Sequence, residues 1–339
     1  MFNNCLTGFF LFFFFVNELE PRGFDKDVET TIVVGNDGEA DFKTIQKAID
    51  SIPSGNNMSW IKIEINPGIY NEKIVIPMDK QKIIMQGNNA SEVIIQYNDA
   101  GISNSSGPFT LNAEYFIAID ITFMNTYNKR TPIIQYEQIK VAPSVILTAD
   151  KAWFYSCRFI SVQDTVADFF GRHYFQNCYI EGAIDFIWGG GQSVFQVNYK
   201  CVLIQMLTGY ITAQGRQSEE DTSGFVFVNC EIKGSGKTFL GRAYRAYSRV
   251  IFYQTIMSSV IVHQGWDPMK YQGEEDNFTF AEIDCTGKGA NKTGRVKWEK
   301  NYTAQDVESL IEPKTFINGD GWMASLPSSL TTFLPYFFE

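Results

Sequence analysis

The chain has 339 residues, 45% of them hydrophobic and 19% charged, a globular composition with enough apolar mass for one large core or two ordinary domains. Its formal net charge of -10 argues against nucleic acid as a partner and against tight adsorption to an anionic surface. No Pro/Gly/Ser linker divides it.

The first element is the apolar run from Gly8 to Val16, too short to span a bilayer, which reads as the core of a secretory signal within residues 1–20 although a basic leader is missing. Six glycosylation sequons, at Asn57, Asn89, Asn104, Asn277, Asn291 and Asn301, point to the same compartment. Next, Phe42, Ile45, Ile49 and Ile52 fall on one face of a helix over residues 41–52, with Asp41 as its N-cap and Pro53 as its stop.

From Trp60 to about Ile261 the pattern changes to short β-rich runs: Ile61 to Ile65, Lys73 to Ile76, Ile83 to Gln86, Val93 to Gln96, Phe116 to Phe123 and onward. These runs repeat. Phe116–Phe123 resembles Phe154–Phe159, Tyr174–Ile180, Tyr199–Ile204 and Phe227–Ile232, and β-type repeats of 20 to 40 residues signal a solenoid. The terminal coil of a solenoid needs a cover, and the helix at residues 41–52 suits that task. The competing sandwich would use Asn-Gly or Asp-Gly hairpins, yet only Asp37-Gly38 and Asp320-Gly321 occur, outside the repeats.

Six cysteines suggest disulfides, but Cys5 lies in the signal segment and the other five cannot all pair. Cys157, Cys178, Cys201 and Cys230 recur in similar segments, as stacked small buried side chains do; a Cys201–Cys230 bridge is the alternative.

The offset of 21 residues between Cys157 and Cys178 also separates Asp164 from Asp185. If the repeat is one coil of a parallel β-helix, the two carboxylates lie about one strand spacing apart, roughly 4.8 Å. Two acids that close do not ionise together easily, and such a pair divides into a protonated acid and a charged nucleophile or base. Asp185 also sits among Ile184, Phe186, Ile187 and Trp188, so it needs a cationic partner, for which Arg242 in Leu240-Gly241-Arg242 is the candidate.

Other chemistries find less support. His173 and His263 are the only histidines, with no zinc spacing, and neither is assigned a catalytic role. Gly191-Gln192-Ser193-Val194-Phe195 fails the hydrolase elbow at its last position, and Gly236-Lys237-Thr238 lacks the upstream glycine of a phosphate loop.

Gly68-Ile69-Tyr70-Asn71-Glu72, Gln163-Asp164-Thr165, Gly182 to Gly189 and Leu240-Gly241-Arg242 occur in the order and spacing of the pectinesterases. Over residues 30–328 the chain resembles that family, in its plant type and in the short form without an inhibitor-like pro-domain. The resemblance implies a right-handed parallel β-helix and a secreted, cell-wall enzyme acting as a monomer. Its substrate would be methyl-esterified homogalacturonan, with a proteinaceous inhibitor as a further candidate partner and no metal or organic cofactor. It implies Asp185 as nucleophile, Asp164 as general acid and then base, Arg242 as the group that orients Asp185, and Gln163 as an oxyanion donor. Trp188 and Tyr244 would line the sugar cleft, with ordinary packing as the alternative.

Three departures stand out. Val141 occupies the place where the family has an oxyanion glutamine, nine residues before Asp150 of Asp150-Lys151-Ala152, and Gln138 would need a three-residue shift to replace it. Ala243-Tyr244 replaces the family's Pro-Trp. The tail over residues 329–339 is unusually apolar. Three other readings remain at this level: a pectin-binding pseudoenzyme, a β-helix glycosidase that cuts the chain itself, and a purely structural solenoid.

Overall fold

A computed structural model describes residues 27–36, 38–129, 138–196, 208–331 and 333–334. The signal segment, Cys5, Cys201 and the end of the apolar tail lie outside the described residues.

The β-rich runs form three large parallel sheets and a two-stranded one, wound into a right-handed β-helix. One coil shows the path: Ala152–Tyr155 in a ten-stranded sheet, Arg158–Ile160 in a five-stranded sheet, Val166–Asp168 in an eight-stranded sheet, then Arg172–Gln176 back in the first. Apolar residues of the inner faces stack coil on coil. Phe154, Phe175, Phe195, Phe227 and Phe252 are direct neighbours in the ladder, and their rings stack 4.3 to 5.0 Å apart. Such offset pairs add stability beyond their buried area.

Six of the corners that leave the ten-stranded sheet are one residue in the left-handed region. Asp120, Ser156, Asn177, Asn229, Gln254 and Asp284 all have φ between 50° and 54°. Phe116–Phe123, expected as one run, is therefore two strands, Phe116–Ile119 and Thr122–Asn125, broken at Asp120. One further residue on, the small side chain turns inward. Cys157, Cys178 and Cys230 are buried there, each thiol donating to a carbonyl of the neighbouring coil: Ala118, Phe154 and Phe195, at 3.3 to 3.4 Å. Cys285 continues this ladder at Phe252. Burial holds the Cys178 and Cys285 thiols up at about 12, which makes them packing groups.

The capping helix is present but shorter than expected, Ile45–Ser51, with Ile45, Ala48 and Ile49 buried over the first coil. Asp41 is not its cap: its carboxylate accepts Val33 N–H at 2.8 Å. Glu72 accepts from Ile45 N–H and Gln46 N–H at 3.0 and 3.1 Å, so an acid 26 residues or more downstream satisfies the open first turn. At the other end of the chain, short helices at Glu308–Ile311, Pro313–Phe316 and Ser328–Thr331 cover the outer face of the ten-stranded sheet, burying Trp153, Tyr174 and Ile251. The start of the apolar tail belongs to this cover. Leu334 is buried, and the Phe333 ring lies 4.8 Å from that of Tyr155.

Asp168, His173 and Ser193 form a sealed polar cluster between coils, all fully buried. His173 Nδ1 lies 2.7 Å from Asp168 Oδ1 and Nε2 2.7 Å from the Ala149 carbonyl, while Ser193 donates to Asp168 Oδ2 at 2.5 Å. Both ring nitrogens face acceptors, so the bonds are complete only in the imidazolium. Burial opposes that charge, but Asp168 and the carbonyl outweigh it and raise the His173 pKa. A raised folded pKa confers stability that is full below the unfolded value of about 6.5 and lost as pH rises through the folded one. The gap in melting temperature between the parent and His173→Gln should therefore be widest at pH 5 to 6 and narrow as pH climbs, as followed by calorimetry; a gap independent of pH would contradict the charged pair.

Candidate active site

The eight-stranded sheet and the turns before its strands carry the site residues, and its register decides what faces what. Val166 pairs with Ile187 and Gln163 with Ile184, so Asp164 and Asp185 are rungs of adjacent coils. Both stand in left-handed turns, at φ 58° and 46°, just before their strands. Aspartate tolerates that conformation better than most residues. Gly182 is required beside them, because a Cβ there would lie 2.1 Å from the Phe186 Cβ. Gly189, at φ 123°, would bring a Cβ to 1.9 Å from the Asp168 carbonyl oxygen.

Arg242, at the end of strand Lys237–Ala243, reaches back to Asp185. Its Nε donates to Oδ1 at 2.7 Å and its Nη2 to Oδ2, a two-pronged ion pair of planar groups. Burial raises the Asp185 pKa; Arg242 opposes that rise, and the charge of Asp267 adds to it. Asp164 has no such partner. Burial first, then the charge of Asp185, push it up to about 7, against the Ser103 hydrogen bond and the pull of Arg242 and Gln163. The two carboxyls thus have unequal environments: one clamped by a cation, one poised near neutrality.

Gln163 is half-buried and hydrogen-bonds the Asp164 carboxylate. Trp188, half-buried, and Tyr244, 36% exposed, meet edge to face at 5.7 Å and form an aromatic rim on the same sheet. The structure thus links Asp164, Asp185, Gln163 and Arg242 directly, and places Trp188 and Tyr244 as a contacting pair on the same sheet. Val141 is half-buried and its carbonyl accepts Gly101 N–H at 2.9 Å; an isopropyl group there can donate nothing. Gln138 is exposed.

Four neighbours were not foreseen. Ser103 donates to Asp164 Oδ2 at 3.0 Å from a loop outside the repeat pattern. Tyr210 lies under Arg242, its ring centroid 4.3 Å from the guanidinium carbon, and donates its hydroxyl to Asp267 Oδ2 at 2.8 Å. Asp267 is also the ladder partner of Arg242 and accepts Met269 N–H. The guanidinium is thus held between a ring face and the Asp185 carboxylate, and Asp267 anchors the ring. Phe169 extends the rim, edge to face with Trp188 at 4.9 Å.

These contacts predict the titration of Asp164, observable by carbon-13 NMR of labelled aspartate. Ser103→Ala should raise its midpoint above about 7, and Asp185→Asn should lower it. A midpoint that ignores both changes would mean that burial alone sets it.

Comparison with known proteins now bears on the site. The family model described as Pectinesterase matches residues 31–320. A curated relative from Arabidopsis thaliana called Probable pectinesterase 29 is 40% identical over 313 residues, covering 87% of this chain and 89% of its own. Probable pectinesterase 55 from the same plant is 42% identical over 305 residues, covering 87% and 91%. Among solved structures, a pectin methylesterase from carrot superposes with a TM-score of 0.79 at 28% identity, covering 87% of this chain and 95% of that one. The Aspergillus niger pectin methylesterase, at 24% identity and a TM-score of 0.75, shares the fold.

Proposed function

The chain belongs to the pectinesterase family and is thereby a carboxylic ester hydrolase, and we propose that it hydrolyses the C6 methyl esters of homogalacturonan to free carboxylate and methanol. One observation carries the assignment of roles: a carboxylate clamped by Arg242 beside a carboxyl that titrates near 7.

Asp185, kept charged by Arg242, is the nucleophile. Its attack on the ester carbonyl gives an oxyanion, to which the Gln163 amide donates; one preorganised donor contributes about 3 kcal/mol to lowering such a barrier. Asp164, protonated, gives its proton to the departing methanol, leaving an acyl anhydride on Asp185. Water then attacks the anhydride carbonyl, Asp164 takes the proton, and Asp185 leaves as carboxylate. Trp188 and Tyr244 offer aromatic faces to the sugar.

Val141 argues for a weaker oxyanion site, since loss of one donor lowers turnover by about 100-fold. It also keeps alive the second reading, a pectin-binding protein of low activity. Secretion to the cell wall is supported by the sequons, of which Asn57, Asn89, Asn104, Asn291 and Asn301 are exposed. No helix among the described residues is long and apolar enough to cross a membrane.

Methanol release from methylated pectin tests the mechanism. Asp185→Asn should lower turnover by several orders of magnitude, as loss of a nucleophile does. Because Asp164 must begin protonated, kcat/KM should fall on the alkaline side with an apparent pKa near 7, a value that belongs to the pair. Binding without methanol release by the parent would favour the low-activity reading, and viscosity loss ahead of methanol would favour a glycosidase.

A further inference from the structure

A side-chain hydrogen bond crosses the strand that carries Arg242. Thr208–Gln214, Lys237–Ala243 and Trp266–Asp267 are consecutive strands of the eight-stranded sheet, and Arg242 stands on the middle one. Tyr210 on the first donates its hydroxyl to Asp267 Oδ2 on the third at 2.8 Å. Two strand spacings, roughly 10 Å, separate those backbones, so the tyrosine side chain spans the middle strand like a strap. Its ring stacks on Phe239, its partner in the ladder, at 5.1 Å and lies 4.3 Å from the Arg242 guanidinium carbon.

The strap bears on a choice between two acids. Asp267 is the ladder partner of Arg242, about one strand spacing away, yet the guanidinium makes its two-pronged pair with Asp185. A long, flexible side chain does not make that choice unaided. Both oxygens of Asp267 are engaged, Oδ2 by Tyr210 and Oδ1 by Met269 N–H at 2.8 Å. Burial, and then the bond to Asp267, push the Tyr210 hydroxyl up to about 12, so it stays a donor at any working pH. Without that donor, Oδ2 of Asp267 is open to the guanidinium.

We propose that Tyr210 commits Arg242 to the nucleophile, its ring supporting the guanidinium while its hydroxyl occupies the rival carboxylate of Asp267. The proposal rests on the reading of Asp185 as nucleophile. Tyr210 acts through Arg242 and is therefore a positioning residue. The charged or titratable groups that bear on the Asp185–Arg242 pair are Asp164, Asp267 and Tyr210. Arg242 holds the Asp185 carboxyl down against burial, and the charge of Asp267 pushes it up. Loss of the tyrosine hydroxyl should accordingly raise the Asp185 midpoint, and loss of the Asp267 charge should lower it.

Two measurements test this. Carbon-13 NMR of labelled aspartate reads the Asp185 midpoint, and methanol release from methylated pectin reads kcat and KM. In Tyr210→Phe, which keeps the ring, the midpoint should move to higher pH. Its kcat should fall roughly 10- to 100-fold, as displacement of a catalytic group does, with KM held within about twofold. Asp267→Asn keeps an acceptor for Met269 N–H and an amide that can donate to the tyrosine oxygen, and its midpoint should move to lower pH. With the rival charge gone the hydroxyl no longer matters, so adding Tyr210→Phe to Asp267→Asn should slow it by less than about threefold. A midpoint in Tyr210→Phe equal to that of the parent overturns the proposal. So does a double variant more than about tenfold slower than Asp267→Asn, the result of a hydroxyl that only holds the fold, and this comparison decides even if Tyr210→Phe alone does not fold. Either failure with methanol release intact in the parent removes the positioning role alone. Absent release from the parent removes the pectinesterase reading, while the midpoints still judge whether Tyr210 directs Arg242.

Discussion

The molecule depends on the parallel register of its coils. In a parallel ladder the side chain one coil on stands at a fixed strand spacing, so whatever the sequence repeats is stacked in space. Inside, that stacking sets five phenylalanine rings face to face and lines up thiols against carbonyls. On the eight-stranded sheet it sets two mutually repelling carboxyls together. The favourable packing of the core thus offsets the electrostatic cost of the site. A slip of one residue in the eight-stranded sheet would separate the carboxyls and also turn Val166 and Ile187 out of the core.

One cation distinguishes the two carboxyls. Both are buried, and burial alone would protonate both. Arg242 engages Asp185 with both nitrogens of its fork, whereas Asp164 receives a serine hydroxyl and an amide. Tyr210, held by Asp267, lies with its ring face against that guanidinium. Asp267 exacts a counter-effect, since its negative charge pushes up the very carboxyl that Arg242 holds down. The arrangement is a balance of near-neighbour charges in a partly dry cleft, where each counts for more than at an open surface.

Legibility in the sequence followed the period. Asp164 and Asp185 were readable because their coil has the same 21-residue length as the Cys157 to Cys178 coil, so equal offsets meant equal places. Arg242 needed only the buried charge of Asp185 as a reason. Tyr210 and Asp267 were not readable: the offset from Asp185 to Tyr210 is 25 residues, so the 21-residue spacing that relates the two aspartates did not lead to it. Ser103 comes from a loop with no counterpart in other coils. The helix cap failed for a related reason, because local spacing favoured Asp41 while the fold brought Glu72 to the open N–H groups. The split of Phe116–Phe123 at Asp120 turned on a single left-handed residue inside an otherwise continuous apolar run.

Elsewhere among the described residues several buried or half-buried charges are paired. His173 has Asp168, Arg295 has Glu282, and Arg172 bridges Asp150 and Asp320. Each pair joins separate parts of the chain, so its role is to fix one element against another, and each has acceptors for the donors it buries. Arg216 and Arg249 follow the first half of that pattern, since their bonds to loop carbonyls fix residues 219–223 against the solenoid. They depart from the second half, because carbonyl dipoles satisfy hydrogen bonds without cancelling charge. The opposing charge comes from the acids of that same loop, Asp221, Glu219 and Glu220, which raise the Arg216 pKa against the effect of burial.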